Sequence, residues 1–176
     1  MDESRKSRRG VFRILFVCAG NTCRSPMATG ILRKLLPEEL LSRVEIDSAG
    51  VGAVSGEPAL GGAVEAAAAR GVDISRHVSK KLTPELVRKA DLILVMERSH
   101  MDKVREMCPA KTEHVMLLTE LGERPTRGDG DIADPIGGTE EVYRRCYSQI
   151  EISLARGAQF IADLITARED PSELTG

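Results

Sequence analysis

The sequence holds no tryptophan, two tyrosines and three phenylalanines among its 176 residues. Five rings must serve the core as well as any surface, so a binding face that stacks bases or sugars on aromatic side chains is not expected. Charge of one sign is missing too: 25 Lys and Arg stand against 27 Asp and Glu, a formal net charge of −2. No global field steers such a chain toward nucleic acid or an anionic membrane, and any anion site has to be local. No apolar run approaches the roughly 20 residues needed to cross a bilayer. The opening MDESRKSRRGVFRILFVCAG sets basic residues ahead of an apolar stretch as an export signal does, but Arg13 interrupts it and Ile14 to Ala19 is too short. The expected location is the cytoplasm. There the four cysteines, Cys18, Cys23, Cys108 and Cys146, read as reduced thiols rather than a disulfide framework. Their spacing offers no C-x2-C pair and no His-x3-5-His to complete a zinc site, so no metal or other cofactor is expected. Cys108 and Cys146 read as small buried hydrophobes.

What is present is an ordinary globular composition, 41% hydrophobic and 30% charged, in a length suited to one domain. Residues 1–10, with Arg5, Lys6, Arg8 and Arg9, are expected to be a disordered tail, residues 11–168 the folded domain, and residues 169–176 a second tail. Strand and helix signals alternate along the domain. Val11–Val17 reads as a buried strand, followed by the loop CAGNTCRSP and a helix over Ser25–Leu36 with Met27, Ile31 and Leu35 on one face, stopped by Pro37. Val44–Ala49, Leu92–Met96 and Val115–Leu118 read as further strands. Ala63–Arg70 and Arg98–Met107 read as helices, and Thr83-Pro84-Glu85 starts a short one. Thr139 is expected to cap a long last helix whose core face carries Tyr143, Cys146, Ile150, Leu154, Ile161 and Leu164. This alternation predicts an α/β fold: a four-stranded parallel sheet with helices on both faces. Ligands in such folds bind beyond the carboxyl ends of the strands, which directs the search to CAGNTCRSP.

In that loop Cys18 ends a strand and Arg24 opens a helix five residues on. Successive backbone N–H groups of a tight loop, continued by a helix N-terminus, make a nest for a tetrahedral dianion. Arg24 adds a bidentate clamp, a cysteine in that positive field is favoured as a thiolate, and Ser25 can donate its hydroxyl to the sulfur. The same letters also fit a core cysteine, a Gly20-Asn21 turn and a surface arginine, but position in the first βα loop favours a nucleophile facing a bound phosphate. Gly-Lys-Ser/Thr and G-x-G-x-x-G are both missing, which excludes the common nucleotide loops. Phosphoryl transfer through cysteine needs an acid for the leaving group and a base for the attacking water. Asp134, stiffened by Pro135 in GDGDIADPIGG and preceded by Asp129 and Asp131, is the candidate.

These two loops make the chain resemble the low-molecular-weight protein tyrosine phosphatases. VCAGNTCRSPMA at Val17–Ala28 and DIADPIGG at Asp131–Gly138 carry the resemblance. SAG at Ser48–Gly50, ARGVDISRHVSKKLT at Ala69–Thr83 and ADLILVM at Ala90–Met96 support it in the same order. It implies phosphorylated proteins as substrates, Cys18 as nucleophile, Arg24 as phosphate clamp and Asp134 as acid then base. Ala19, Gly20, Asn21, Thr22, Cys23 and Ser25 would form the phosphate loop, with Asn21, Ser48 and His77 holding its shape. Cys23 would be the thiol that joins Cys18 under oxidation. The protein is expected to act as a monomer.

Within the resemblance Thr22 bears on substrate. Tyrosine-specific members usually carry Ile or Leu at that place, whereas GNTCRSPMA and the Gly-Gly end of the acid loop are similar to protein arginine phosphatases. A short β-branched hydroxyl leaves room for a guanidinium and can hydrogen-bond it, which places phosphoarginine ahead of phosphotyrosine. Ile136, where an aromatic residue commonly follows Asp-Pro, departs from both patterns, and the wall loop Gly50–Pro58 has no ring. Two other classes compete. A thioredoxin-coupled arsenate reductase would need two further cysteines close together, yet residues 72–107 contain none. A non-catalytic phosphoprotein-binding module would be expected to lose Cys18 or Asp134.

Overall fold

The computed structural model describes residues 10–122 and 130–168. Both expected tails, Gly10 apart, and Asp129 lie outside the described residues. Four strands, β1 (Phe12–Cys18), β2 (Val44–Gly50), β3 (Leu92–Val95) and β4 (Val115–Leu117), form one parallel sheet in the order β2-β1-β3-β4. β1 is central because it alternates between two cores and is buried almost throughout, as a strand covered on both faces must be. Its register sets Cys18 beside Gly50 and Val17 beside Val95.

One face packs Ile14 and Phe16 against α1 (Arg24–Leu35), α3 (Gly61–Ala68) and α6 (Glu140–Ala167). The other packs Leu15, Val17 and Ile93 against α4 (Pro84–Lys89) and α5 (Arg98–Met107). A short α2 (Glu38–Leu41) follows α1, and 3-10 turns span Pro109–His114 and Leu118–Glu120. Local patterning does not announce these three, since each has six residues or fewer.

Two helix expectations need correction. On α1 the core face carries Met27, Ala28, Ile31 and Leu32, while Leu35 is 36% exposed. The helix stops at Leu35, and the extended residue after it, Leu36, turns into the core instead. On α6 Leu164 packs against the core as expected but only partly buried, and Ile165, beside it, completes the buried stripe. Thr139 is the N-cap residue of α6, but its side chain makes no capping bond. Thr83 does cap α4, its hydroxyl accepting from Leu86 N at 3.3 Å with Pro84 behind it. Among the described residues no helix is long and apolar enough to cross a membrane.

The strand order reverses at β1, whose neighbours β2 and β3 follow it on opposite sides. A crevice forms beyond the carboxyl ends of strands at such a switch point. The β1–α1 loop and the β3–α5 turn meet there.

Candidate active site

The loop between β1 and α1 closes on itself around Asn21. Among the described residues Asn21 is the non-glycine residue with positive φ, +55°, a conformation that asparagine tolerates better than most side chains. The turn aims Asn21 N–H back at Cys18 Sγ, 3.2 Å away. Ser25 Oγ lies 2.9 Å from the same sulfur. Both groups can donate to a thiolate.

The Asn21 side chain is wholly buried and fully engaged. Its Nδ2 donates to Ser25 Oγ at 2.8 Å and to Ser48 Oγ at 2.9 Å, and its Oδ1 accepts from Lys80 N at 2.9 Å. The Asn21 carbonyl lies 2.6 Å from His77 Nε2, so the neutral ring donates from that nitrogen. Burial holds His77 below its ordinary value near 6.5, with the bond to Asn21 working against burial. Asn21, Ser48 and His77, expected to shape the loop, are thus brought together with it. Gly50 completes the fit: a Cβ there would stand 2.5 Å from Ala19 O and 2.9 Å from Asn21 N, so the SAG sequence lets β2 touch the loop backbone.

α1 begins at Arg24 with Cys23 as N-cap residue and no capping side chain. Pro26 sits in its first turn, where no intrahelical donor is lost. Free N–H groups therefore face the loop. Thr22 is half-buried, with its Oγ1 3.9 Å from Cys23 Sγ. Burial pushes the Cys23 thiol up to about 11 and that of Cys146 up to about 12. Cys108 and Cys146 are buried, as expected of small hydrophobes.

Arg24 is 1% exposed, and a buried guanidinium must be paired. Its Nη1 donates to the Glu97 carboxylate and, at 2.6 Å, to Ile132 O. Its Nη2 lies 3.3 Å from Asp134 Oδ2. The two loops identified in the sequence, 110 residues apart, thus meet through one arginine. Asp134 Oδ1 also accepts from Ile136 N at 3.1 Å. Asp131 faces elsewhere: its Oδ1 accepts from Arg98 N at 2.8 Å. Ile136 is 63% exposed and Val54, in the loop after β2, is 69% exposed. That loop abuts the phosphate loop through Gly52 N and Ala19 O at 2.9 Å.

Glu97 is the site residue the sequence reading missed, along with the carbonyl of Ile132. It stands two residues beyond the end of β3 at Val95, and the rule that ligands gather at the carboxyl ends of strands was the available signal. His100, one turn into α5, is buried with Nε2 4.0 Å from Glu97 Oε2 and no partner for Nδ1 among the described residues. Burial lowers its pKa, against the pull of Glu97.

Chemically, the arrangement offers a sulfur that meets the Asn21 N–H and the Ser25 hydroxyl, a buried guanidinium at the start of the helix after its loop, and a carboxylate in contact with that guanidinium. Comparison with known proteins agrees with this. The model of the low molecular weight phosphotyrosine protein phosphatase family matches residues 13–165. The probable low molecular weight protein-tyrosine-phosphatase EpsP of Ralstonia nicotianae is 48% identical over 122 residues, 69% of this chain and 77% of its own. The YwlE arginine phosphatase of Geobacillus stearothermophilus superposes with a TM-score of 0.77 at 36% identity, covering 90% of this chain and 98% of its own. A cysteine-to-serine mutant of a YwlE arginine phosphatase, solved with its active-site serine phosphorylated, superposes with a TM-score of 0.74 at 32% identity, over 93% of this chain and 99% of its own.

Proposed function

The chain belongs to the low molecular weight phosphotyrosine protein phosphatase family and is a cysteine-dependent protein phosphatase; from that premise we propose that Cys18 is its nucleophile, Arg24 its phosphate clamp and Asp134 its proton carrier. The observation that carries this assignment is the contact of Arg24 with Asp134 beside the Cys18 loop. The substrate phosphoryl group takes the nest, with its oxygens on the loop N–H groups and on the Nη2 edge of Arg24. In accepting the phosphate that edge gives up Asp134, which then faces the leaving group. The Cys18 sulfur attacks phosphorus, the S–P bond forms, and the bond to the side chain breaks as Asp134 delivers a proton to the departing atom. Water then attacks the thiophosphate, Asp134 takes its proton, the S–P bond breaks and Ser25 hydrogen-bonds the departing thiolate. Glu97 and the Ile132 carbonyl hold Arg24 throughout, since they occupy Nη1 rather than the edge offered to phosphate.

For the substrate, phosphoarginine stands ahead of phosphotyrosine. Support comes from Thr22 in the loop, from the ringless loop after β2 with its exposed Val54, and from the likeness to YwlE arginine phosphatase; Ile136 fits neither substrate pattern. Phosphotyrosine is the second reading, favoured by the 48% identity to EpsP. Turnover of phosphoarginine, phosphotyrosine and phosphoserine peptides, side by side with wild type and Cys18→Ser, tests both parts. Expected are a phosphoarginine preference and no turnover in Cys18→Ser. A phosphotyrosine preference reverses the substrate order, and substantial activity in Cys18→Ser removes the covalent mechanism.

A further inference from the structure

The first N–H groups of a helix have no partner inside it, and the N-cap side chain commonly supplies one. The N-cap residue of α5 is Glu97, whose side chain makes no such bond. Its carboxylate is committed instead to Arg24 and to Ser99 Oγ. The helix end is met from another part of the chain instead: Arg98 N, the first N–H of α5, donates to Asp131 Oδ1 at 2.8 Å, across 33 residues. An aspartate suits this position doubly, as a capping acceptor and as a negative charge at the positive end of a helix.

Asp131 stands three residues before Asp134. Around it the loop backbone is held on both sides. Gly130 O accepts from Thr119 Oγ1 at 2.9 Å, Ile132 N donates to Met96 O at 2.8 Å, and Ile132 O accepts from Arg24. We propose that Asp131 is a positioning residue: by accepting from the first N–H of α5 it clips the Asp134 loop to the β3–α5 corner and fixes the reach of Asp134 toward the leaving group. Glu97, which makes no capping bond, holds Arg24 at the same corner, so one junction positions both the clamp and the acid. The proposal rests on the reading of Asp134 as the proton carrier.

The test is a leaving-group series, from p-nitrophenyl phosphate to esters of much poorer leaving groups, run on five variants together with wild type. Asp131→Ala removes the acceptor and should lower kcat for the poor leaving groups by about 10-fold more than for p-nitrophenyl phosphate, a fraction of the full acid contribution. Asp131→Asn keeps Oδ1 as an acceptor and should stay within about 3-fold of wild type across the series, since Asn caps about as well as Asp. Arg98→Pro deletes the donor while suiting the first helical position, after an extended Glu97. It should reproduce the selective loss even if Asp131→Ala fails to fold, whereas Arg98→Ala, which keeps the N–H, should not. Asp134→Asn should give the steepest series. A flat series in Asp134→Asn overturns the acid reading and this proposal with it. A steep series there overturns only the positioning role if Asp131→Ala and Arg98→Pro are flat, or if Asp131→Asn is as impaired as Asp131→Ala.

Discussion

Replacing Asn21 with alanine isolates the network that gives the phosphate loop its shape. The substitution removes three hydrogen bonds of a wholly buried side chain, to Ser25 Oγ, to Ser48 Oγ and from Lys80 N. At about 1 kcal/mol net for each bond, the loss is about 3 kcal/mol. The backbone adds to it, because alanine at a φ of +55° is strained by roughly 1 kcal/mol. An unfolding free energy lower by about 4 kcal/mol is expected, a large share of the ~5–15 kcal/mol that stabilises a typical domain. Urea unfolding followed by circular dichroism at neutral pH measures it. Asn21→Gly separates the two contributions: glycine accepts the left-handed backbone and should recover about 1 kcal/mol relative to alanine, with the side-chain bonds still missing. Turnover should collapse in both variants, because the bond from Asn21 N to Cys18 Sγ at 3.2 Å depends on the same loop shape. An Asn21→Ala protein that loses less than about 1 kcal/mol and keeps its activity would refute this reasoning.

Thr22→Ile should lower kcat/KM for phosphoarginine peptides by roughly 5- to 150-fold, the equivalent of one lost polar contact, while sparing phosphotyrosine; an unchanged ratio of the two substrates removes Thr22 from the specificity argument. Peroxide should inactivate the enzyme reversibly. Cys18 sulfenic acid condenses with the Cys23 thiol, releasing water and forming a disulfide that a dithiol reductant reopens. With Cys23→Ser recovery should be poor, and equal recovery would make Cys23 a packing residue. His77 links stability to pH. Its folded value lies below the unfolded value near 6.5, burial being the larger cause. Within that window the unfolded chain binds more protons, so stability rises with pH and is lost as pH falls below about 6.5. His77→Gln should flatten that slope in urea titrations, leaving the part due to His100, whose value is lowered in the same direction. An identical slope in both proteins contradicts the link.

The parallel α/β sheet, the loop that carries Cys18 and Arg24, and the Asp134 loop were all legible in the sequence, because each is encoded within one or two neighbouring elements. Buried strands announce themselves by their apolar run, Thr83-Pro84 marks a helix start, and Gly20-Asn21 marks a turn. Such signals reach only as far as a helical turn or a strand. They could not say that Leu36 rather than Leu35 faces inward, since that depends on where α1 ends against the core. Still less could they say that Glu97 holds Arg24, 73 residues away, rather than capping its own helix, or that Asp131 accepts from the first N–H of α5. Those pairings exist because the strand order β2-β1-β3-β4 brings the β1–α1 loop and the β3–α5 turn to one crevice. Once Arg24 is buried there, its charge has to be met by whatever carboxylates the fold has brought within reach.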